Sequence, residues 1–264
     1  MAIIFTIKIT ESLAHNWRAL YDAPIIELDV IDSTNNYAMR LIDADTAQEG
    51  LTIVTGEQTQ GKGQRGRRWE DTAGDSLLMS VILSPKIPLE KQFAFNATVA
   101  TAFASVLADL YEQWDVKIKW PNDIIINDKK AGGILIENVL RGRQWSYAIV
   151  GFGLNLYQPH FPENLPFATS LQIASGKRFD RIALLQDFRK RLFQLLAEGI
   201  EEQPAMDRYN EFLYRLQEEQ QFSDGEKDWK ARVLEVLTDG TLLVLETSGI
   251  QKAYTHGSVI WKWK

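Results

Sequence analysis

"GKGQRGRRWEDTAGDSLLMSVIL", residues 61–83, decides the fold. It opens on a literal G-x-G-x-x-G, from Gly61 through Gly63 to Gly66. A dinucleotide fingerprint needs a strand, a glycine turn and then a helix, because the helix N-terminus carries the pyrophosphate. Here the turn runs into more polar loop and then into SLLMSVILS (76–84), an apolar strand. No helix opens at Gly66, so the dinucleotide reading fails on context. What remains is a glycine-rich loop with four cations, Lys62, Arg65, Arg67 and Arg68. Glycine lets backbone approach a ligand closely, and Arg offers a planar donor fork for phosphate or carboxylate. An anion-binding loop and a solvated basic hairpin tip are both open at this point.

The runs around this loop mix strand and helix. Residues 3–9, 25–30 and 51–57 read as strands. IDSTNNYA (31–38) offers Ser33, Thr34 and Asn35 as caps for a helix starting near Asn36. Residues 89–114 have helical period, with Phe93, Ala97, Ala100, Phe103, Ala104, Leu107 and Leu110 on a broad apolar face. VKIKW (116–120) and DIIIN (123–127) are short β-rich runs, NDKK (127–130) is a turn signal, and GGILIENV (132–139) is a strand beyond it. WSYAIVGFGLNL (145–156) reads as a buried strand ending in a glycine-containing loop, and 157–178 as an extended loop. Residues 180–202 form an amphipathic helix with Asp180 as N-cap, and 205–219 continue the helical region. From about residue 222 short strands are joined by Asp239-Gly240, Ser248-Gly249 and His256-Gly257, and Asp-Gly between apolar runs signals a hairpin. The expectation is a large α+β domain (1–221) followed by a small β-barrel-like domain (222–264).

Composition narrows the function. The 264 residues are 45% hydrophobic, enough for a sizeable core, and carry a net charge of −6, which argues against a general affinity for nucleic acid. The absence of cysteine excludes disulfides, thiolate metal sites and a cysteine nucleophile. The three histidines, 15, 160 and 256, lack metal-ligand spacing, so no metal site is assigned. The start, MAIIFTIKIT, has no basic leader or cleavage site and does not read as a signal peptide. No apolar run approaches membrane-spanning length. A cytoplasmic protein without a membrane partner is expected.

KWPND (119–123) sets Lys119 at a strand end, with Pro121 biasing Trp120 to extended backbone. DSTN (32–35), GKGQRGRRW (61–69), KWPNDI (119–124), KKAGGILIE (129–137) and GFGLN (151–155) follow one another as they do in biotin–protein ligases. The chain resembles that family across its large domain. The resemblance implies a class II aminoacyl-tRNA synthetase-like catalytic domain, a mixed β-sheet with flanking helices related to that of lipoate ligases, and a C-terminal SH3-like barrel. It implies an enzyme that joins biotin and ATP, with Mg²⁺ on the triphosphate, into biotinyl-5'-AMP. Biotin then passes to a lysine of the biotin carboxyl carrier protein of a carboxylase.

On that basis Ser33, Thr34, Asn35 and Gln58 meet the biotin ring, while Gly61, Lys62, Gly63 and Gln64 line its carboxylate side. Lys119, with Arg67, is the electrostatic catalyst between that carboxylate and the α-phosphate. Arg65, Arg67, Trp69, Asn122, Asp123, Lys130 and Asn155 fall on the nucleotide side. The chemistry asks for such groups. Two anions must meet, so fixed cations stabilise the charge that builds on the phosphoryl oxygens. The mixed anhydride must then be kept from water, the work of a closing loop.

The loop departs from the commonest family pattern, G-R-G-R-x-G-R, because Lys62 and Gln64 replace arginines. Neutral Gln64 implies a weaker hold on the adenylate. Many members carry an N-terminal helix-turn-helix, but the stretch before Asp32 begins β-like and leaves no room for three helices. No nucleic-acid partner is therefore expected, and monomer or homodimer is left open. Two alternatives stand beside this reading, a lipoate–protein ligase of the same superfamily and a non-catalytic cofactor-binding module. The loop favours biotin over lipoate, and the pairing of that loop with Lys119 favours catalysis.

Overall fold

A computed structural model describes residues 19–263. The strand read at 3–9, and His15, lie outside the described residues. β1 (Ile25–Ile31), α1 (Thr34–Asp43) and β2 (Thr52–Gln58) form a parallel crossover. β3 (Ser76–Leu83) follows the glycine loop, and all eight of its residues are buried, as its unbroken apolar run predicts. After α2 (Gln92–Leu110) come β4 (Val116–Lys119), β5 (Asp123–Ile126), β6 (Lys129–Arg141) and β7 (Gln144–Asn155). The seven strands lie in the order β1-β2-β3-β7-β6-β5-β4. Every pair except β1–β2 is antiparallel, so the sheet is mixed, as expected. The Asn127-Asp128 turn between β5 and β6 has positive φ at both residues, a conformation that Asn and Asp tolerate. The Trp120–Pro121 peptide between β4 and β5 is cis.

Three helices complete the large unit: α3 (Leu171–Ser175), α4 (Arg181–Ala197) and α5 (Glu202–Glu211). Asp180 caps α4 as read, its carboxylate accepting from Ala183 N at 2.8 Å. α3 corrects the extended-loop reading of 157–178, with the Ser170 hydroxyl capping it by accepting from Ile173 N at 3.1 Å. α5 is shorter than the sequence suggested, because Arg215 and Gln217 beyond it take left-handed backbone. α2 stops at Leu110 instead of 114, where Tyr111 turns extended and Trp114 folds into the core.

α2 is the central helix. Phe103 stacks on Phe152 of the sheet at 4.2 Å and meets Phe188 of α4 edge-on at 5.4 Å. Covered on both sides, α2 buries Ala94, Val99 and Ala102 as well as the predicted face, while Phe93 and Leu110 at its ends are only partly buried. One sequence reading is corrected here. Leu89–Leu110 is 22 residues long and apolar enough to cross a membrane by length and composition. Its place in this fold is the protein core.

The second sheet contains β8 (Glu219–Ser223), β9 (Asp228–Val236), β10 (Leu242–Glu246), β11 (Gln251–Tyr254) and β12 (Ile260–Trp261), in the order β11-β10-β9-β8-β12 and wholly antiparallel. The Asp239-Gly240 and Ser248-Gly249 turns join neighbouring strands as predicted, each with glycine at positive φ. This sheet docks on the first through one continuous core. Trp120 Nε1 donates to Gly240 O at 2.9 Å, and the Asn210 amide bonds Val236 in both directions.

Candidate active site

A cleft of about 510 Å³ opens above β3, β6 and β7, between the 61–69 loop and the second sheet. One end is a buried, neutral polar cluster. α1 begins at Thr34, two residues before the sequence reading, and no Ser33 side chain caps it. The cap comes from across the sheet, where Gln58 Oε1 accepts from Thr34 N at 2.8 Å and Thr34 Oγ1 at 3.1 Å. Thr34 and Asn35 therefore turn inward. Ser80 Oγ of β3 lies 2.7 Å from Thr34 Oγ1 and 2.6 Å from Asn35 Oδ1. Asn35 Nδ2 donates to Glu137 Oε2 of β6 at 2.7 Å. Asp32 anchors the helix start by accepting two 3.0 Å bonds from Arg40 and one from Asn36, and the Arg40 guanidinium holds its carboxyl far below the usual range.

The middle of the cleft is a glycine floor. GFGLN lies inside β7, not in a loop, which corrects the sequence reading. Gly153 pairs with Gly133 across β6–β7, and the Trp69 indole lies over both. A Cβ at Gly153 would come within 2.8 Å of the indole ring. A Cβ at Gly151 would sit 2.3 Å from Asn35 Oδ1. Glycine in a strand signals this kind of close approach.

The basic loop is a compact hairpin. Trp69 N donates to Gly61 O at 3.0 Å and Gly63 N to Arg67 O at 2.7 Å. Arg65 takes left-handed backbone at φ 55° and reaches the second sheet, donating to His256 O at 2.9 Å. Lys62 pairs with Glu137 at 3.6 Å and Arg68 donates to Thr59 O at 3.1 Å. Among the described residues, Arg67 is the loop cation with neither an ion pair nor a hydrogen bond from its side chain. Gln64 Oε1 is buried without a partner.

Two lysines close the other end. Lys119, last residue of β4, is 7% exposed, and its Nζ donates to Trp261 O at 2.9 Å. Burial pushes its pKa down to about 8; Asp123 opposes the shift, and Lys130 and Arg67 add to it. Lys130 on β6 is more open and pairs with Asp123 at 2.6 Å, 5.9 Å from the Trp69 ring. Asn122 donates its amide to Ile134 O.

The cleft wall thus gathers Ser33, Thr34, Asn35, Gln58, Lys62, Gly63, Gln64, Arg65, Arg67, Trp69, Lys119, Asn122, Asp123 and Lys130. Gly61 is set back on the outer side of the loop, and Asn155 turns away, its amide donating to Thr169 O at 3.0 Å. Sequence reasoning missed Ser80, Glu137, Trp261 and Trp263. Only Ser80 left a signal, as the one polar residue in the middle of SLLMSVIL.

Fold and cleft together define an α+β protein in which a neutral polar cluster and a set of cations share one cavity under a basic loop. The profile of the Biotin/lipoate A/B protein ligase family matches residues 27–155. The "Bifunctional ligase/repressor BirA" of Bacillus spizizenii is 34% identical over 240 residues, 88% of this chain and 72% of that protein. The "Biotin--[acetyl-CoA-carboxylase] ligase" of Mycobacterium tuberculosis is 29% identical over 180 residues, 64% of this chain and 65% of that one. The solved biotin protein ligase from Aquifex aeolicus in complex with biotin and ATP superimposes with a TM-score of 0.75 at 27% identity, covering 91% of this chain and 99% of that one. This chain belongs to the Biotin/lipoate A/B protein ligase family.

Proposed function

We propose that the protein is a biotin–protein ligase that adenylates biotin with ATP and transfers it to a lysine of a biotin carboxyl carrier protein. The observation that carries the choice of acid is the polar cluster at one end of the cleft, where Ser33, Thr34 and Asn35 are buried and Thr34, Asn35 and the half-buried Gln58 are hydrogen-bonded. A ureido ring offers two N–H donors and a carbonyl to such groups. A dithiolane ring offers none and would gain no hydrogen bond from them. At the other end Lys119, Lys130 and Arg67 face the place where carboxylate and α-phosphate must meet. Trp69 on its glycine floor, with Asn122 and Asp123, falls on the nucleotide side.

Mg²⁺ arrives on the triphosphate, keeping several of its waters. The donor set fits that route. Asp123 is engaged by Lys130, and among the described residues no group of three His, Asp or Glu is placed to hold a metal. We read the large unit as class II aminoacyl-tRNA synthetase-like and the small one as an SH3-like barrel. We keep the division near residue 222, within β8, which begins at Glu219. We place the enzyme in the cytoplasm, as monomer or homodimer. With a net charge of −6 it is not expected to bind nucleic acid, and a sequence-specific shift of DNA in a gel would overturn that.

The test is ATP-dependent labelling of a carrier-domain lysine with biotin while lipoate competes in excess. Undiminished biotinylation is expected. Lipoylation in its place would move the substrate and keep the fold.

Two further outcomes follow. Lys119 works as an ammonium, so kcat/KM for biotin should fall as pH rises through about 8, the value burial gives this group in the free enzyme. The sign for stability is opposite. Between about 8 and 10.5 the unfolded chain holds this proton and the folded chain does not, so the lysine's contribution to stability rises with pH. A pH–rate profile and a pH series of melts check the pair. The second outcome concerns Gln64. Gln64→Arg adds a charge beside the adenylate and should slow its escape, seen as less labelling of free amines in bulk solution. Unchanged labelling would remove Gln64 from the account of retention.

A further inference from the structure

We propose that the C-terminal residues Trp261 and Trp263 are positioning residues for Lys119, seating its ammonium on a backbone carbonyl and two indole faces without neutralising it. The proposal rests on Lys119 carrying the adenylation step.

A buried ammonium needs compensation for its lost hydration, and the usual partner is a carboxylate. Lys119 has none. Asp123, the neighbouring acid, is held by Lys130 at 2.6 Å. Lys119 instead donates to Trp261 O at 2.9 Å, with its Nζ 4.5 Å from the Trp263 ring and 5.2 Å from the Trp261 ring. Indole faces attract a cation through their quadrupole. Unlike a carboxylate, they and a carbonyl dipole leave its full charge available to an anionic substrate.

The seat is itself fixed. Strand alternation sends Lys262 outward to Asp228 at 2.6 Å, while Trp261 and Trp263 turn toward the cleft. Trp263 stacks on Phe167 at 5.3 Å with an interplanar angle of 13°. Phe167 O in turn accepts from Lys130 N, and Thr169 N donates to Lys130 O at 2.8 Å. One aromatic stack therefore joins the end of the chain to both lysines. The other charged groups around Lys119 are Asp123 on β5, Lys130 on β6 and Arg67 on the loop. From the second sheet, His256 packs edge-on against Trp120 at 5.8 Å, its own pKa lowered by burial and by Arg65 and Arg67.

The experiment places tryptophans of increasing fluorination at position 263 of the full chain. Fluorine weakens the π face at nearly constant shape. Biotin-dependent pyrophosphate–ATP exchange is followed against pH. The alkaline limb of kcat/KM should move to lower pH with each fluorine, by about one unit over the series, with kcat falling about tenfold and KM for biotin changing little. Trp263→Leu should lose at least as much, and Trp263→Phe should recover most of it. A series with no trend in limb or kcat, in an enzyme whose natural form exchanges normally, would overturn the positioning role alone. Absence of exchange in the natural protein would remove the ligase reading and this proposal together.

Discussion

Lys119→Ala lowers the rate of biotin-dependent adenylation by about 10²- to 10³-fold, the scale on which single preorganised charge-stabilising groups act. Biotin's carboxylate and the α-phosphate are both anions, and Lys119 is a cation held where water is excluded, at 7% exposure. In such a place a charge acts at low effective dielectric and needs no reorganisation during the reaction. Lys130 cannot substitute fully, because Asp123 at 2.6 Å already offsets its charge. The loss should fall in kcat more than in KM, since the polar cluster proposed to hold the ring lies at the other end of the cleft. Lys117→Ala, two residues earlier on β4 and paired with Asp115 at 3.6 Å, is the control and should leave the rate unchanged. A comparable loss in both variants would mean a strand effect and not a catalytic one.

Gly151→Ala weakens biotin binding by about 10²-fold, from the cost of overpacking a rigid, hydrogen-bonded site. The new methyl would stand 2.3 Å from Asn35 Oδ1 and 3.1 Å from Leu135 O. Asn35 has no room to yield, because Ser80 holds its oxygen at 2.6 Å and Glu137 its nitrogen at 2.7 Å. Moving it breaks both bonds. Gly133→Ala is the contrast. Its Cβ meets the Trp69 ring at 3.4 Å, an ordinary contact, so affinity should change by less than about threefold. Calorimetric titration of biotin into both variants, with thermal melts to confirm folding, checks the ordering. Equal affinities would mean that Asn35 does not touch the ring.

How much of this was legible in the sequence depended on whether the signal was local. The loop's cations, the strand after them, the Asp180 cap and the tail hairpins all rest on neighbours within a few residues, and each was readable. The cap on α1 was misread because Ser33, Thr34 and Asn35 look like caps in isolation, whereas Gln58 supplies it from another strand. GFGLN was misread because glycine usually breaks a strand; here it makes room for Trp69 and Asn35. Glu137 reaches Asn35 across 102 residues and Trp261 reaches Lys119 across 142, contacts set by sheet register and docking. Lys119 was placed by resemblance, and its burial by the tail left no trace in KWPND.

The measurement that bears most directly on the central claim is pyrophosphate–ATP exchange, run with biotin and with lipoate in parallel. Exchange that requires biotin, and does not occur with lipoate, is the predicted result. Exchange with lipoate but not biotin, or with neither acid, would contradict it.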